Sequence, residues 1–183
     1  MTAPSGPAAA LIGEAFSGLP VDAVVDAESV GALLPVAEVL GPATLAYLGK
    51  GDFHPATAGP LVEELDARHP DLRRLEESAG ADDAGEAGLA EITSPVFVIR
   101  DHGEVVAACG YRLWPRRTAH LSVLTAPGRR GRGLGRTTAS RAVAHALGAE
   151  LLPQWRARPL ESRRVAGALG FREFGAQLSF KLA

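Results

Sequence analysis

Residues 129–136 read Arg-Arg-Gly-Arg-Gly-Leu-Gly-Arg, and the fold of the chain can be inferred outward from this stretch. An apolar run, Leu121 to Leu124, precedes it, and residues 137–148 follow with apolar side chains three or four positions apart. This spacing predicts a strand, a glycine loop and then an amphipathic helix that begins near Arg136. The apolar residues of that helix are Ala139, Ala142, Val143, Ala146 and Leu147.

The glycine loop is predicted to bind an anion. Glycines at every second position let consecutive backbone N–H groups turn toward one point, because no Cβ obstructs the loop or an approaching ligand. The positive end of the helix dipole and the unpaired N–H groups of the first helical turn add to the same field. Four arginines strengthen it: Arg129, Arg130, Arg132 and Arg136. Together these features indicate a pyrophosphate site.

The sequence of the loop and its flanks argues against three other kinds of segment that bind phosphate groups. A P-loop needs lysine followed by serine or threonine after its last glycine, where this chain has Arg136 and Thr137. The dinucleotide fingerprint needs G-x-G-x-x-G and an acidic residue about 20 positions on, whereas here the spacing is G-x-G-x-G and Glu150 is too close. Disordered arginine- and glycine-rich tails that bind RNA repeat over long tracts and lack a following amphipathic helix.

The remaining elements follow from periodicity, turn residues and caps. Predicted helices run from a cap at Asp26 to about Leu40 with an interruption at Pro35, over Pro60 to Arg68, over Pro70 to Ser78, and from Glu161 or Ser162 to Gly170. Predicted strands are Thr44 to Leu48, Pro95 to Arg100, Val105 to Trp114, Thr118 to Thr125, Ala149 to Trp155, Phe171 to Phe174 and Ala176 to Leu182. Gly80 to Gly88 has turn chemistry without periodicity and is predicted to be a linker or mobile loop.

Two motifs resemble one known family. Arg-x-x-Gly-x-Gly, formed by Arg130, Gly133 and Gly135, resembles motif A of the GCN5-related N-acetyltransferase (GNAT) superfamily, whose loop amides hold the pyrophosphate of coenzyme A. Residues 162–171, which end in Leu-Gly-Phe, resemble motif B of the same family. The motifs stand in the family's order, and the resemblance covers about residues 91–183 and hardly any of residues 1–90.

The resemblance implies a fold and a domain arrangement. The fold is α/β, with a central mixed, mostly antiparallel sheet flanked by helices. Residues 91–183 would form the core that binds acetyl-CoA. Residues 1–90 would be a portion of helices and strands, a subdomain that contributes to the acceptor pocket.

The resemblance also implies which residues hold acetyl-CoA, the cosubstrate. The backbone of Val123, Leu124 and Thr125 would contact the pantetheine arm and the thioester. Ser162 would hydrogen-bond the cofactor, or would cap its own helix. The loop residues that would hold the pyrophosphate are Arg130, Gly131, Arg132, Gly133, Leu134, Gly135 and Arg136.

The catalytic groups of the family are replaced here. A family tyrosine that protonates the departing thiolate corresponds to Ala166, and a bracing asparagine corresponds to Pro159. The strand before the loop offers His120 as general base, since an ordinary pKa of about 6.5 suits the deprotonation of an ammonium group. A hydrogen-bonded structural histidine is the alternative. Cys109 could carry an acyl group or be a buried, inert thiol.

Composition limits the partners. Residues 1–100 carry 5 basic and 16 acidic residues, net −11, and residues 101–183 carry 14 basic and 5 acidic, net +9. A small anionic cofactor explains the basic half better than DNA, which the acidic half would repel.

No metal is expected, and no apolar run approaches the about 20 residues of a membrane span. One cysteine fits a reducing cytoplasm, and arginine outnumbers lysine 17 to 2, as in GC-rich bacteria.

The expected function is therefore transfer of an acetyl group to a primary amine by direct attack in a ternary complex. The acceptor would be a small-molecule amine or a protein or peptide amine, and a homodimer is left open. Two alternatives remain. One is a catalytically weakened acyl-CoA-binding or regulatory domain, indicated by Ala166 and Pro159. The other is an RNA-binding module that uses the arginine-rich C-terminal half.

Overall fold

A seven-stranded sheet organises the chain, for which a computed structural model describes residues 3, 5–57 and 59–183. The strands are β1 Val36–Tyr47, β2 Glu63–Leu65, β3 Val96–Asp101, β4 Glu104–Trp114, β5 Thr118–Thr125, β6 Leu152–Ala157 and β7 Arg172–Leu182. The α-helices are α1 Gly6–Phe16, α2 Ala27–Leu33, α3 Pro70–Ala79, α4 Ala81–Ala87, α5 Leu134–Gly148 and α6 Leu160–Ala168. The strand order is β2-β3-β4-β5-β6-β1-β7, with β3, β4 and β5 antiparallel and β5 parallel to β6. The predicted mixed α/β sheet flanked by helices is confirmed.

The chain divides into two compact units, residues 1–45 with 175–183 and residues 46–174. The first unit has its own small core, in which Ile12, Val30 and Leu34 are buried. An edge-to-face contact between Phe16 and Phe180, with ring centroids 6.3 Å apart, extends that core. The glycine loop and both motifs lie in the second unit. Whether residues 1–90 supply an acceptor pocket stays a prediction.

Helices cover both faces of the strands in the second unit. On one face, Leu72 and Leu75 of α3 pack with Leu124 of β5. On the other face, Val143 of α5 packs with Leu121 of β5. None of the helices in the described part of the chain is long and apolar enough to cross a membrane.

The strands around the glycine loop form where the sequence predicts them. β5 spans Thr118–Thr125 as expected, and its antiparallel hairpin partner β4 ends at Trp114. α3 begins at Pro70, where proline's missing N–H costs no hydrogen bond, and His69 Nδ1 caps the helix by accepting from the backbone N–H of Asp71 at 3.2 Å. The two predicted final strands are one continuous strand, β7.

One predicted helix, capped at Asp26, is confirmed only in its first half, and a second predicted helix is wrong. α2 ends at Leu33, and Leu34 is extended because the following Pro35 disfavours the helical conformation of the residue before it. Residues 36–40 lie instead in β1. The predicted helix over Pro60 to Arg68 is replaced by β2, which pairs with β3 so that Leu65 lies opposite Val96. Edge pairing therefore overrides a helical pattern that rested on few apolar positions.

The predicted linker from Gly80 to Gly88 is also wrong. Residues Ala81–Ala87 form α4, a helix without buried residues. Glycines with positive φ bound it on both sides, Gly80 at +87° and Gly88 at +60°. The helix has no fully buried side chain, and its Ala87 is only partly buried against the core, so its apolar pattern is too weak for recognition from sequence.

Gly170→Ala is expected to lower the free energy of unfolding by about 1–3 kcal/mol. Gly170 has φ of +96°, and a Cβ there would overlap the backbone carbonyl of Asp52. Gly167→Ala is the matched control, because Gly167 lies inside α6 with open space around the added Cβ. The control should gain about 0.5–1 kcal/mol from helix propensity. Urea unfolding measures both, and equal effects of the two substitutions would contradict the assigned backbone.

Candidate functional site

The glycine loop connects β5 to α5, and its glycines serve two different purposes. Gly131 and Gly133 both have φ of +75°, a left-handed conformation that favours glycine. Gly135 is helical, but a Cβ there would lie 3.1 Å from the Thr125 hydroxyl oxygen. The missing side chain at Gly135 lets the first turn of α5 lie close against the end of β5. The sequence thus brings strand end, loop and helix start together as predicted.

The start of α5 carries backbone donors without acceptors. The cap residue is Gly133, which has no side chain that could accept a hydrogen bond. The first N–H groups of an α-helix have no intrahelical partner, and the dipole of this 15-residue helix adds positive potential at the same end. Arg136 Nε is buried and has no hydrogen-bond partner within the described residues. An anion at this position would satisfy these donors.

A cavity of about 220 Å³ lies beside the helix start. Among its lining residues are Arg132 and Arg136, and none of them is acidic. The second wall comes from a segment that the backbone N–H of Ala56 ties to Ser140 Oγ of α5, at 2.9 Å. The lining residues are Ala56, Thr57, Gly59, Pro60, Arg132, Gly133, Arg136 and Thr137. Sequence reasoning missed Ala56, Thr57, Gly59 and Pro60, which carry no charge or motif.

β5 and β6 part before β5 reaches the loop. Over the described residues they pair at three positions, from Thr118 with Leu152 to His120 with Gln154. Val123, Leu124 and Thr125 lie beyond the last pair, although all three still pair with β4 on their other side. Over the described residues, the β6 side of residues 123–125 therefore has no strand partner, and the Thr125 carbonyl accepts a hydrogen bond from Arg130 Nε at 3.2 Å. The sequence implied such a role for these three residues only through the family resemblance.

α4 connects to the basic side chains on both sides of this gap. Asp83 contacts Arg130 of the glycine loop, with 2.5 Å between Oδ2 and the guanidinium. Glu86 forms ion pairs with Arg158 and, at 3.8 Å, with Arg156. Asp83 and Glu86 are three positions apart, which places them on one side of the helix. The partners of both carboxylates lie far away in sequence, 47 positions for Asp83 and Arg130 and 72 for Glu86 and Arg158, so no local signal predicted this helix.

Several arginines of the basic C-terminal half form ion pairs. Arg129 contacts Asp101 at 2.8 Å, and Arg163 forms two hydrogen bonds with Glu173, the shorter at 2.8 Å. The pairs made by α4 add contacts with carboxylates of the acidic half. An RNA-binding module needs unpaired basic side chains along a surface, and that alternative stays a prediction.

His120 lies in a partly buried hydrogen-bonded chain at the last paired position of β5 and β6. Its Nδ1 is 2.8 Å from Gln154 Oε1, and Gln154 Nε2 donates to the Tyr47 hydroxyl at 2.7 Å. Trp114 stacks on the imidazole with ring centroids 4.2 Å apart. Burial lowers the pKa of His120 below its ordinary value, and the hydrogen bond to Gln154 offsets this in part. The lowered pKa favours the neutral imidazole, which is the state that a base requires.

Gln154 and Tyr47 were missed by sequence reasoning. Gln154 is 5% exposed, and it stands as an isolated polar residue among apolar neighbours in residues 151–155. Buried polar side chains generally have hydrogen-bond partners, so this glutamine could have been flagged. Its partners belong to strands far apart in sequence and could not have been named.

Ser162 and Cys109 have structural surroundings. Ser162 Oγ accepts a hydrogen bond from Trp155 Nε1 at 3.0 Å. Ser162 does not cap its helix, because α6 begins at Leu160 and its cap residue is Pro159. A role of Ser162 toward the cofactor stays a prediction. Cys109 is 0% exposed, and burial raises the pKa of its thiol, which excludes it as an accessible nucleophile.

No group of three or more potential metal ligands occurs among residues 3, 5–57 and 59–183. The donors at the glycine loop are N–H groups and guanidinium groups, which bind anions and not cations.

Comparison with known proteins places these features in a family context. The model of the GNAT acetyltransferase family matches residues 96–176. Solved structures with the same fold include a GNAT-family protein from Novosphingobium aromaticivorans, 21% identical, with a TM-score of 0.62 over 79% of this chain and 65% of that one. A GNAT-family acetyltransferase from Colwellia psychrerythraea is 16% identical, with a TM-score of 0.59 over 81% of this chain and 59% of that one.

A GCN5-related N-acetyltransferase from Kribbella flavida is 17% identical, with a TM-score of 0.58 over 83% of this chain and 61% of that one. This chain thus spans about three fifths of the length of these structures, from 59% to 65%. No curated protein matches the chain.

Because Cys109 is fully buried, we expect its thiol to react with a water-soluble disulfide reagent only after unfolding. Labelling in native buffer should be slower by about two orders of magnitude or more than in denaturant, as expected for a site that reacts through a rarely populated open state. The release of the coloured thiol, followed with time, measures both rates. Rapid labelling of the native protein would contradict the inert assignment of Cys109.

Proposed function

We propose that this chain, whose residues 96–176 match the model of the GNAT acetyltransferase family, belongs to that family and transfers an acetyl group from acetyl-CoA to a primary amine. The acceptor attacks directly in a ternary complex, since the cysteine of the chain is buried. The observation that carries the proposal is the parting of β5 from β6 next to a glycine loop whose helix N-terminus has unpaired donors.

The residues around the loop fit the phosphates of acetyl-CoA. Bound acetyl-CoA would supply an activated thioester and a diphosphate. The amides of Gly133, Leu134 and Gly135 have no side-chain cap in their way, and Arg136 has a buried donor without a partner. Gly131 and Arg132 complete the loop, and the backbone of residues 123–125 would hold the pantetheine arm between the parted strands.

Arg130 supports the same site in a different way. Its guanidinium hydrogen-bonds the backbone carbonyl of Thr125 at 3.2 Å, which fixes it at the end of β5. Its other contact is the carboxylate of Asp83. A phosphate carries more negative charge than a carboxylate and accepts the same hydrogen bonds, so a bound diphosphate would take over this contact from Asp83.

His120 would act as the general base. The amine nitrogen forms the amide bond to the acetyl carbon while the carbon–sulfur bond breaks. Of the two protons that the ammonium group loses, His120 Nε2 passes one to solvent, and the other ends on the departing sulfur. His120 must be neutral to accept a proton from the amine, and its lowered pKa favours that state.

Arg130→Glu is expected to weaken acetyl-CoA binding about tenfold or more, which is about 1.4 kcal/mol. The substitution places a carboxylate where the diphosphate would lie and next to Asp83. Isothermal titration calorimetry with acetyl-CoA measures the change. Arg116→Glu is the control, because it makes the same charge change in the exposed turn between β4 and β5. Equal affinity of the Arg130→Glu variant and the unaltered protein would contradict the placement of the diphosphate.

Asp83→Asn is expected to act in the opposite direction. Removal of this carboxylate leaves Arg130 without its competing partner, so acetyl-CoA should bind more tightly, by about twofold to tenfold for a partly exposed ion pair. The same titration measures it, with Asp82→Asn as the control on the same helix. Weaker binding after Asp83→Asn would show that the acidic side chain assists the cofactor.

The pH dependence of kcat/KM should follow the lowered pKa of His120. A base whose pKa is lowered stays neutral to a lower pH, so the acidic limb should have its midpoint below the ordinary value of 6.5. Initial rates of thiol release between about pH 5 and 9 give the profile. His120→Asn should abolish this limb and lower kcat about 100-fold. A limb that persists in His120→Asn would assign it to another group.

A second candidate function is binding of acyl-CoA without efficient transfer. The position of the family tyrosine is Ala166, which is 3% exposed in the core and carries no acid group. A thermal shift with acetyl-CoA would be common to both candidates. Release of free thiol with a panel of amines separates them, since the binding domain would release none.

A further inference from the structure

We infer that Gln154 and Tyr47 are positioning residues that hold His120 in the tautomer whose free lone pair lies on Nε2. The inference rests on the proposed function, because it concerns the residue proposed as base. It adds two residues that neither motif contains. It also names the nitrogen that takes the proton.

The hydrogen-bond directions assign the tautomer. Gln154 Nε2 lies 2.7 Å from the Tyr47 hydroxyl and donates to it. The amide oxygen of Gln154 therefore faces His120 Nδ1, at 2.8 Å. An amide oxygen only accepts, so Nδ1 must carry the hydrogen, and in a neutral imidazole the other nitrogen then has the lone pair.

Packing keeps this arrangement in place. Trp114 lies almost parallel to the imidazole, at an interplanar angle of 10°, which hinders rotation of the ring. Gln154 is buried on β6, directly opposite His120 in the parallel register. Among the described residues, Nε2 of His120 takes part in no hydrogen bond, and the strands part immediately beyond this pair.

The charged groups around His120 come from three elements. Arg156 of β6 and Arg112 of β4 disfavour the imidazolium, whereas Glu91 favours it. Glu91 is itself paired with Arg112 at 2.5 Å, so the two largely cancel each other. The hydrogen bond to Gln154 remains satisfied when Nε2 gains a proton, because Nδ1 donates in both states. The chain of three residues therefore supports both protonation states without rearrangement.

The decisive measurement is the tautomer itself. Long-range ¹H–¹⁵N correlation spectra of the protein labelled with ¹⁵N-histidine distinguish protonated from unprotonated ring nitrogens, and His120→Asn assigns the signals. At pH 8 we expect Nδ1 to be protonated and Nε2 to be unprotonated. The reverse would mean that the amide of Gln154 is turned over, and it would overturn the inference without any reference to activity.

Substitutions of Tyr47 and Gln154 test whether the tautomer of His120 affects the rate of the reaction. Tyr47→Phe removes the acceptor that orients the amide, so a fraction of His120 should carry its hydrogen on Nε2, and kcat should fall about threefold to tenfold with the KM for acetyl-CoA unchanged. Gln154→Leu should lower kcat further. Gln154→Glu should retain the tautomer, since a carboxylate also accepts from Nδ1, and should move the acidic limb of kcat/KM upward by about one pH unit or more.

The outcomes separate this inference from the proposed function. If the unaltered protein binds acetyl-CoA and releases thiol, but Tyr47→Phe and Gln154→Leu leave both kcat and the pH profile unchanged, the positioning role is wrong. If the unaltered protein neither binds acetyl-CoA nor releases thiol with any amine, the proposed function fails, while the spectra still report the tautomer. Circular dichroism shows whether each variant is folded, and Tyr47→Phe is the smallest change should Gln154→Leu unfold the protein.

Discussion

The parallel pairing of β5 with β6 is limited to three positions, and the candidate site depends on this limit. Paired backbone groups of a sheet interior are saturated, so a continuous pairing would leave nothing for a ligand to bind. β5 stays paired with β4 along its whole length, so the β5 side of the gap is held within the sheet. Gly135 lets α5 begin close to the end of β5, because a Cβ there would lie only 3.1 Å from the Thr125 hydroxyl oxygen.

The opposite charges of the two halves of the chain meet at this gap. α4 belongs to the acidic half, and its Asp83 and Glu86 contact arginines from both sides of the gap, on the glycine loop and at the end of β6. The helix has no fully buried side chain and lies between two glycines with positive φ. Ion pairs of partly exposed side chains are individually weak. The diphosphate proposed to bind Arg130 would therefore compete with a weak ion pair.

The groups proposed for proton transfer have a different origin from those proposed for the cofactor. The proposed anion site uses backbone donors and guanidinium groups, which one short motif encodes together. His120, Gln154 and Tyr47 come from three strands, and their hydrogen bonds of 2.8 Å and 2.7 Å form only because the sheet brings these strands together. A substitution of Gln154 would leave the glycine loop intact. The proposed binding and the proposed proton transfer thus depend on separate parts of the same sheet.

The amino-acid sequence by itself determined the elements whose cause is local. Glycines with a required conformation, the amphipathic pattern of α5 and the bounds of β5 were all predictable, because each depends on neighbours within a few positions. The tertiary structure alone decided three things: that residues 63–65 form an edge strand, that α4 is a helix, and that Gln154 faces His120. The causes are strand pairing for residues 63–65, ion pairs for α4 and a side-chain hydrogen bond for Gln154, and each of these interactions needs a partner distant in sequence. Interactions of that kind leave no periodic signal along the chain, so they appear only once the strands are side by side.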